Sequence, residues 1–307
     1  MAPMVTANVV AASASLAPLL EASHWEGRIA AVFETSLHLT GPRESLLHLQ
    51  GGPLLVSPFG LRVSAPLASV LKGLSLVEGI PVIKAGCHIL ISGCLRLSLG
   101  ETVYYRSPVA TPRWVDPEAL NFAKWLLTLE GRPGGFTAIP GTRAVAAAIH
   151  RSLTDGGSDR LLDATGLIVG LGPGLTPSGD DFLVGCLKGL WLLAGREPEL
   201  HSTIGRLRSE LGPSLSDRTT RVGAEFIRHA LNGQFAEILD RAAEALLAPA
   251  KLAAVELAIR WLMAQGETSG TDTTQGLLAC LDALRYPTCR EPVSGRNVRK
   301  LGSTARP

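Results

Sequence analysis

The chain has 307 residues, of which 46% are hydrophobic and 18% charged; at roughly 150 residues per domain this suggests about two domains. The composition is that of a globular chain able to bury a core, and it excludes a disordered one. Lys and Arg number 29 against 27 Asp and Glu, a net charge of +2, so no global field points to nucleic acid and the partner is expected to be small.

No uncharged apolar run approaches the ~20 residues that span a bilayer, and a membrane partner is not expected. The segment Met1–Leu20 is Ala/Ser-rich without a charged leading region, and a signal peptide is not expected. The five cysteines (Cys87, Cys94, Cys186, Cys280, Cys289) are scattered and form no CxxC pair. That argues against a disulfide framework or a zinc ribbon, and buried reduced thiols in a cytoplasmic protein are expected.

Along the chain, residues 1–20 read as an extension and residues 21–115 as a β-rich domain. Short strands are predicted at Arg28–Phe33, Ser45–Leu49, Pro53–Val56, Leu61–Val63, Ile80–Ile83, His88–Ile91 and Val103–Tyr105. Gly41-Pro42, Gly51-Gly52-Pro53 and Pro58-Phe59-Gly60 punctuate them. Such spacing suggests a small barrel or sandwich. Residues 116–289 read as mainly helical, giving an α+β chain overall. Asp116-Pro117-Glu118 supplies a cap acceptor, a proline suited to the first helical position and an acid in the first turn. This helix is predicted to run to Glu130. Further helices are expected at Thr142–Leu153, Asp181–Ala194, Pro198–Leu211, Arg218–Leu231, Phe235–Leu247, Lys251–Ala264 and Thr273–Leu284. Residues 290–307 carry Arg290, Arg296, Arg299, Lys300 and Arg306 against Glu291 alone and read as a basic solvated tail.

One segment stands apart: Gly170-Leu-Gly172-Pro-Gly174-Leu-Thr176-Pro-Ser178-Gly179-Asp180-Asp181, ahead of an apolar helix. Lacking Cβ atoms, its glycines let the backbone approach a ligand closely. It is neither a Walker A loop nor GxGxxG. A second segment echoes it. Ser178-Gly179-x-Asp181-x-x-x-Gly185 and Ser269-Gly270-x-Asp272-x-x-x-Gly276 share the pattern SGxDxxxG. Capping explains part of this, since Ser-x-x-Asp approximates a capping box and an acid in the first turn favours the helix dipole. Capping does not need Gly early in a helix, a second acid at Asp180 or the stiff Thr176-Pro177 approach. Exposed helix N–H groups attract anions whereas three aspartates repel them. The conflict resolves if Asp180, Asp181 and Asp272 hold Mg2+ or another hard cation, or accept hydrogen bonds from a ligand NH2.

A weaker signal is Arg218-Thr219-Thr220-Arg221, read either as a helix start capped by Ser216 or Asp217, or as hydroxyls and guanidinium beside an anion. The seven histidines show no clustered spacing, and His229 is expected to be structural. No GxSxG or Cys/His pairing supports a covalent nucleophile.

The strings GLGPGLTPSGDDFLVG, RTTRVGAEFIRHALNGQFAEIL and GETSGTDTTQGLL resemble the AllH-like family, named for a subunit of oxamate carbamoyltransferase in anaerobic allantoin and purine breakdown. The resemblance spans roughly residues 25–285, and Gly223 stands where the family often carries a small hydroxyl residue. It implies a part in carbamoyl transfer, in which oxalurate and phosphate exchange with oxamate and carbamoyl phosphate. Positioning and charge stabilisation would supply most of the rate. Carried over, the resemblance points to Gly172, Gly174, Thr176, Ser178, Gly179, Asp180 and Asp181, with Ser269, Gly270 and Asp272. Backbone N–H groups and hydroxyls would meet anionic oxygens, and carboxylates would meet NH2 or a cation. The implied partners are other subunits or a second copy of the chain. The alternatives are a non-catalytic ligand-binding or scaffolding subunit and an Asp-dependent metal hydrolase.

Overall fold

A computed structural model describes residues 4–52, 55–108 and 113–284. The basic stretch from Arg290 and Cys289 lie outside the described residues. No helix among the described residues is long and apolar enough to cross a membrane.

The first part is a barrel. Its strands are β1 (Val5–Ser13), β2 (His24–Val32), β3 (Ser36–Thr40), β4 (Leu46–Gly51), β5 (Gly60–Val63), β6 (Pro81–Ala85), β7 (His88–Ile91), β8 (Leu95–Ser98) and β9 (Val103–Tyr105). The order β5-β4-β3-β2-β6-β7-β8-β1-β9 closes because β1 also pairs with β5. Eight strands thus form the ring. β1 runs parallel to β8 through Val5↔Leu95 and then to β9 through Ala11↔Val103, while lying antiparallel to β5 through Val9↔Val63. Alternate side chains such as Val9, Ile29, Leu37, Leu47 and Ile89 fill the interior at 0% exposure. Two short helices, α1 (Ala17–Glu21) and α2 (Leu67–Leu71), sit between strands.

Three strands depart from the sequence reading. Residues 5–13, read as part of an extension, form β1, and Ser36–Thr40 and Leu95–Ser98 are also strands. The expected strand Pro53–Val56 lies partly outside the described residues, and Leu55 and Val56 are not in a strand.

The helical part comprises α3 (Pro117–Glu130), α4 (Gly135–Ala138), α5 (Thr142–Asp155), α6 (Ser158–Gly166), α7 (Ser178–Ala194), α8 (Pro198–Leu211), α9 (Leu215–Arg218), α10 (Arg221–Leu231), α11 (Glu237–Ala245), α12 (Leu252–Met263) and α13 (Ser269–Leu284). The start of α3 follows its sequence signal: Asp116 accepts from the Glu118 and Ala119 amides, and Pro117 opens the helix. α7 is the central helix. Every one of its residues except Trp191 is buried, which matches its apolar residues on all faces.

α7 and α13 begin at their motif serines, ahead of the predicted starts at Asp181 and Thr273. The early glycines permit this. A Cβ on Gly179 would overlap the Ile168 carbonyl, and one on Gly270 would overlap the Leu262 carbonyl. The cost of Gly in a first turn is the condition for that close packing.

The two parts are joined by buried polar contacts. Tyr105 and Ser107, at and just after β9, donate to Asp240 Oδ2 on α11 at 2.6 and 2.7 Å. Lys188 of α7 meets Asp240 Oδ1 at 2.5 Å, with both side chains almost fully buried. Val56 accepts from the Glu237 amide at 2.9 Å and donates to the Glu237 carboxylate at 3.3 Å.

Candidate functional site

The two SGxDxxxG motifs meet where α7 and α13 start side by side. The Thr176 and Ser269 hydroxyls are 2.9 Å apart. The motifs interlock reciprocally: Asp181 faces the Ser269 hydroxyl of the other motif, and Asp272 faces the Ser178 hydroxyl. Further along, a Cβ on Gly185 would overlap the Thr273 carbonyl, and one on Gly276 would overlap the Phe182 carbonyl. The motif glycines are therefore the points at which the two helix backbones touch.

The three aspartates have different surroundings. Asp180 Oδ1 accepts from the Gly170 amide at 2.7 Å, and Oδ2 accepts from the Thr219 hydroxyl. Burial raises its pKa, opposed by those two donors. Asp272 Oδ1 accepts from the Phe136 amide at 2.8 Å, where Gly135 leaves room for the carboxylate. Burial raises this group as well, against the Phe136 amide and the Ser178 and Thr268 hydroxyls. Asp181 has no backbone partner of that kind. It is 8% exposed, and its Oδ2 is without a hydrogen-bond partner. Burial pushes its pKa up to about 8; the Asp272 and Asp180 carboxylates add to the shift, while the Ser269 and Thr176 hydroxyls oppose it.

Asp181 lines a cavity of about 220 Å3 between barrel and helices. Thr176, Ser269 and Gly270 line it from the motifs, Gln234 and Gln265 from elsewhere in the helical part, and His48, Gln50 and Ser57 from the barrel. Apolar side chains such as Val184, Phe226, Phe235 and Leu262 make up much of the remaining wall. No Lys or Arg lines it among the described residues. Concavity and a few polar groups on an apolar wall are attributes of a small-molecule site.

The remaining sequence-nominated residues do not line this cavity. Gly170, Gly172 and Gly174 all have positive φ, at 77°, 114° and 96°. A side chain on Gly170 would overlap the Arg218 carbonyl, whereas Gly174 faces open space. Gly179 donates its amide to Leu171 at 2.8 Å, and Gly270 donates to Gln265 at 3.0 Å. Both amides are thus engaged within the protein. Ser178 is buried against Asp272 and does not line the cavity.

Thr219 and Thr220 hold the glycine loop from the side. Thr219 reaches Asp180, and Thr220 donates to the Leu175 carbonyl at 2.5 Å. Thr220 also caps α10 through the Gly223 amide, so the cap is Thr220 and not Ser216 or Asp217. Gly223 is needed here, because a Cβ would overlap Asp180 Oδ2. The guanidinium of Arg218 turns to the Gly166 carbonyl and that of Arg221 to Glu44. His229 stacks on Phe59 with ring centroids 5.6 Å apart and bonds Gln234 Oε1 at 2.6 Å, a structural setting.

Asp180 and Asp272 spend oxygens on backbone amides. Among the described residues no group of three or more His, Cys, Asp or Glu is placed to hold a metal ion. His48, Gln50 and Ser57 were not singled out by sequence reasoning. Their only signal was the turn Pro58-Phe59-Gly60, which places Ser57 beside His48.

No solved structure matches the chain. Residues 168–281, which contain both motifs, the threonine pair and the whole helical wall of the cavity, match the family model of oxamate carbamoyltransferase subunit AllH.

Proposed function

We propose that this chain is a subunit of a carbamoyl-transfer enzyme of the oxamate carbamoyltransferase type, converting oxalurate and phosphate to oxamate and carbamoyl phosphate, and that the cavity beside Asp181 takes the carbamoyl-bearing compound. The observation that carries the reading is the Asp181 carboxyl, buried on the cavity wall with one oxygen unpartnered and a pKa near 8. Such a group exchanges a proton close to neutral pH. In the transfer, a phosphate oxygen bonds to the carbamoyl carbon, the C–N bond to the oxamate nitrogen breaks, and that nitrogen takes up a proton. Asp181 is suited to deliver it, and the proton lost by hydrogen phosphate restores the acid. The family match over residues 168–281 supports the same reading.

The lining without Lys or Arg favours one refinement. The uncharged carbamoyl end fits this wall, and the groups that neutralise phosphate come from another subunit of the assembly. A ligand-binding subunit without chemistry of its own is the second reading.

The test is a thermal-shift screen of the full chain with oxamate, oxalurate, phosphate, carbamoyl phosphate and Mg2+, singly and in pairs. A ligand at a hundredfold excess over Kd adds about 2.7 kcal/mol of stability. A shift abolished by Asp181→Asn supports the site, and a shift indifferent to it removes Asp181 from the reading. Exchange of 14C between oxamate and oxalurate, with and without the other subunits, then separates chemistry from binding alone.

A further inference from the structure

We propose that Ser57, held by His48, is the barrel's ligand-contacting residue in this cavity, and that it hydrogen-bonds an uncharged amide or carbonyl group of the small ligand whose other polar contacts come from the helical wall.

The inference rests on reading the cavity as the ligand site and deepens it, because both residues lie far from the stretch 168–281 matched by the family model. Ser57 Oγ and His48 Nδ1 are 3.1 Å apart, and both residues line the cavity. Ser57 is 6% exposed. A serine hydroxyl offers one donor and two acceptor sites. His48 takes one of these, and the remaining capacity belongs to a hydroxyl on a largely apolar wall.

The placement of Ser57 is built in from several sides. Val56, the preceding residue, is bonded through both its amide and its carbonyl to Glu237. The Gly60 amide donates to the Ser57 carbonyl at 2.9 Å. A Cβ on Gly60 would come within 2.7 Å of Ser57 Oγ, so glycine at that position keeps the hydroxyl where it is. Phe59 anchors the turn on α10, with its ring 4.9 Å from that of Phe226. A fixed hydroxyl on rigid support is what ligand orientation requires.

The chemistry is that of binding. Burial, and then the neighbouring His38, hold the His48 pKa down to about 3. Its imidazole is therefore neutral at working pH and a weak base. It orients the Ser57 hydroxyl and does not strip its proton, so Ser57 is not an activated nucleophile. With His48 neutral, the barrel wall presents no charge at this point, which selects an uncharged end of the ligand.

The experiment is isothermal titration of the full chain with oxamate and with oxalurate, for wild type, Ser57→Ala, Ser57→Cys and Asp181→Asn. Thermal melts check that each variant is folded. Ser57→Ala is expected to weaken the better probe by about tenfold, the effect of one buried hydrogen bond. Ser57→Cys keeps the volume with a weaker donor and is expected to fall between; it carries the test if the alanine variant fails to fold. Loss of binding in Asp181→Asn with none in either Ser57 variant overturns the inference and leaves the Asp181 site standing. Loss in the Ser57 variants with none in Asp181→Asn leaves the inference and overturns the role given to Asp181. If neither probe binds wild type at millimolar concentration, both fall.

Discussion

Gly185 and Gly276 occupy the same position in the two motifs, and each is the point at which one helix receives a carbonyl of the other: Thr273 against Gly185 and Phe182 against Gly276. Those carbonyls belong to the residues four places after the motif serines. The interface is therefore reciprocal to within single residues, and its first turns carry Asp181 and Asp272. The sequence pattern that looked like a cap is a packing code with a carboxyl attached.

Alanine at either glycine puts a methyl group into a backbone carbonyl. Gly185→Ala and Gly276→Ala should each cost about 1–3 kcal/mol, the usual penalty of overpacking. Calorimetry should register this as a Tm lowered by several degrees. An unchanged Tm in both variants would mean that the helices are not held this close.

The Asp181 proton gives a pH signature. In the folded chain the carboxyl keeps its proton up to about pH 8, whereas an unfolded aspartate loses it near pH 4. The native state binds more protons across that window, so this group's contribution to stability falls as pH rises from about 4 to about 8. Asp181→Asn removes the slope. Its Tm relative to wild type should climb across the window and level off above it, and a difference that stays flat with pH would refute the raised pKa.

Asp180 has a different task. Asp180→Ala strips the Gly170 amide and the Thr219 hydroxyl of their acceptor, which costs about 1–3 kcal/mol for an orphaned buried group. Hydrogen exchange at Gly170 should accelerate while the barrel amides keep their protection. Equal acceleration everywhere would point to global loss of stability and away from a local tie.

Asp240, which receives Tyr105 and Ser107 from the barrel side, is held within the helical part by Lys188. Removing the acid alone, as in Asp240→Ala, leaves the Lys188 ammonium buried without its partner and should cost about 3–5 kcal/mol. Replacing both, as Lys188→Met with Asp240→Leu, should cost less than the two single changes added together. A double-mutant cycle reads the difference directly; strict additivity would show the pair to be uncoupled.

Much of the architecture was legible because it rests on local chemistry. The change from short strands to helices near residue 115 follows turn residues and caps, and His88–Ile91, Val103–Tyr105 and Pro198–Leu211 fall where the sequence places them. β1 was hidden because its Ala- and Ser-containing run lacks the bulky alternation that announces a strand, and it gains its partners only through ring closure. Asp181 could be nominated from its motif. Its difference from Asp180 and Asp272 could not, because that depends on which carboxyl finds a backbone amide. His48 and Ser57 have no motif, since the cavity wall they form exists only once barrel and helices are docked.

Ring closure also sets an order of events during synthesis. Among the barrel's strands β1 is made first, yet its parallel neighbours, Leu95–Ser98 and Val103–Tyr105, are among the last. Until they arrive, one edge of Val5–Ser13 stands unpaired, and an unpaired edge is what other nascent chains or chaperones engage. The ring can close once the chain reaches Ser98, and β9 then pairs with β1 and brings Tyr105 and Ser107 to the contacts that tie the barrel to Asp240.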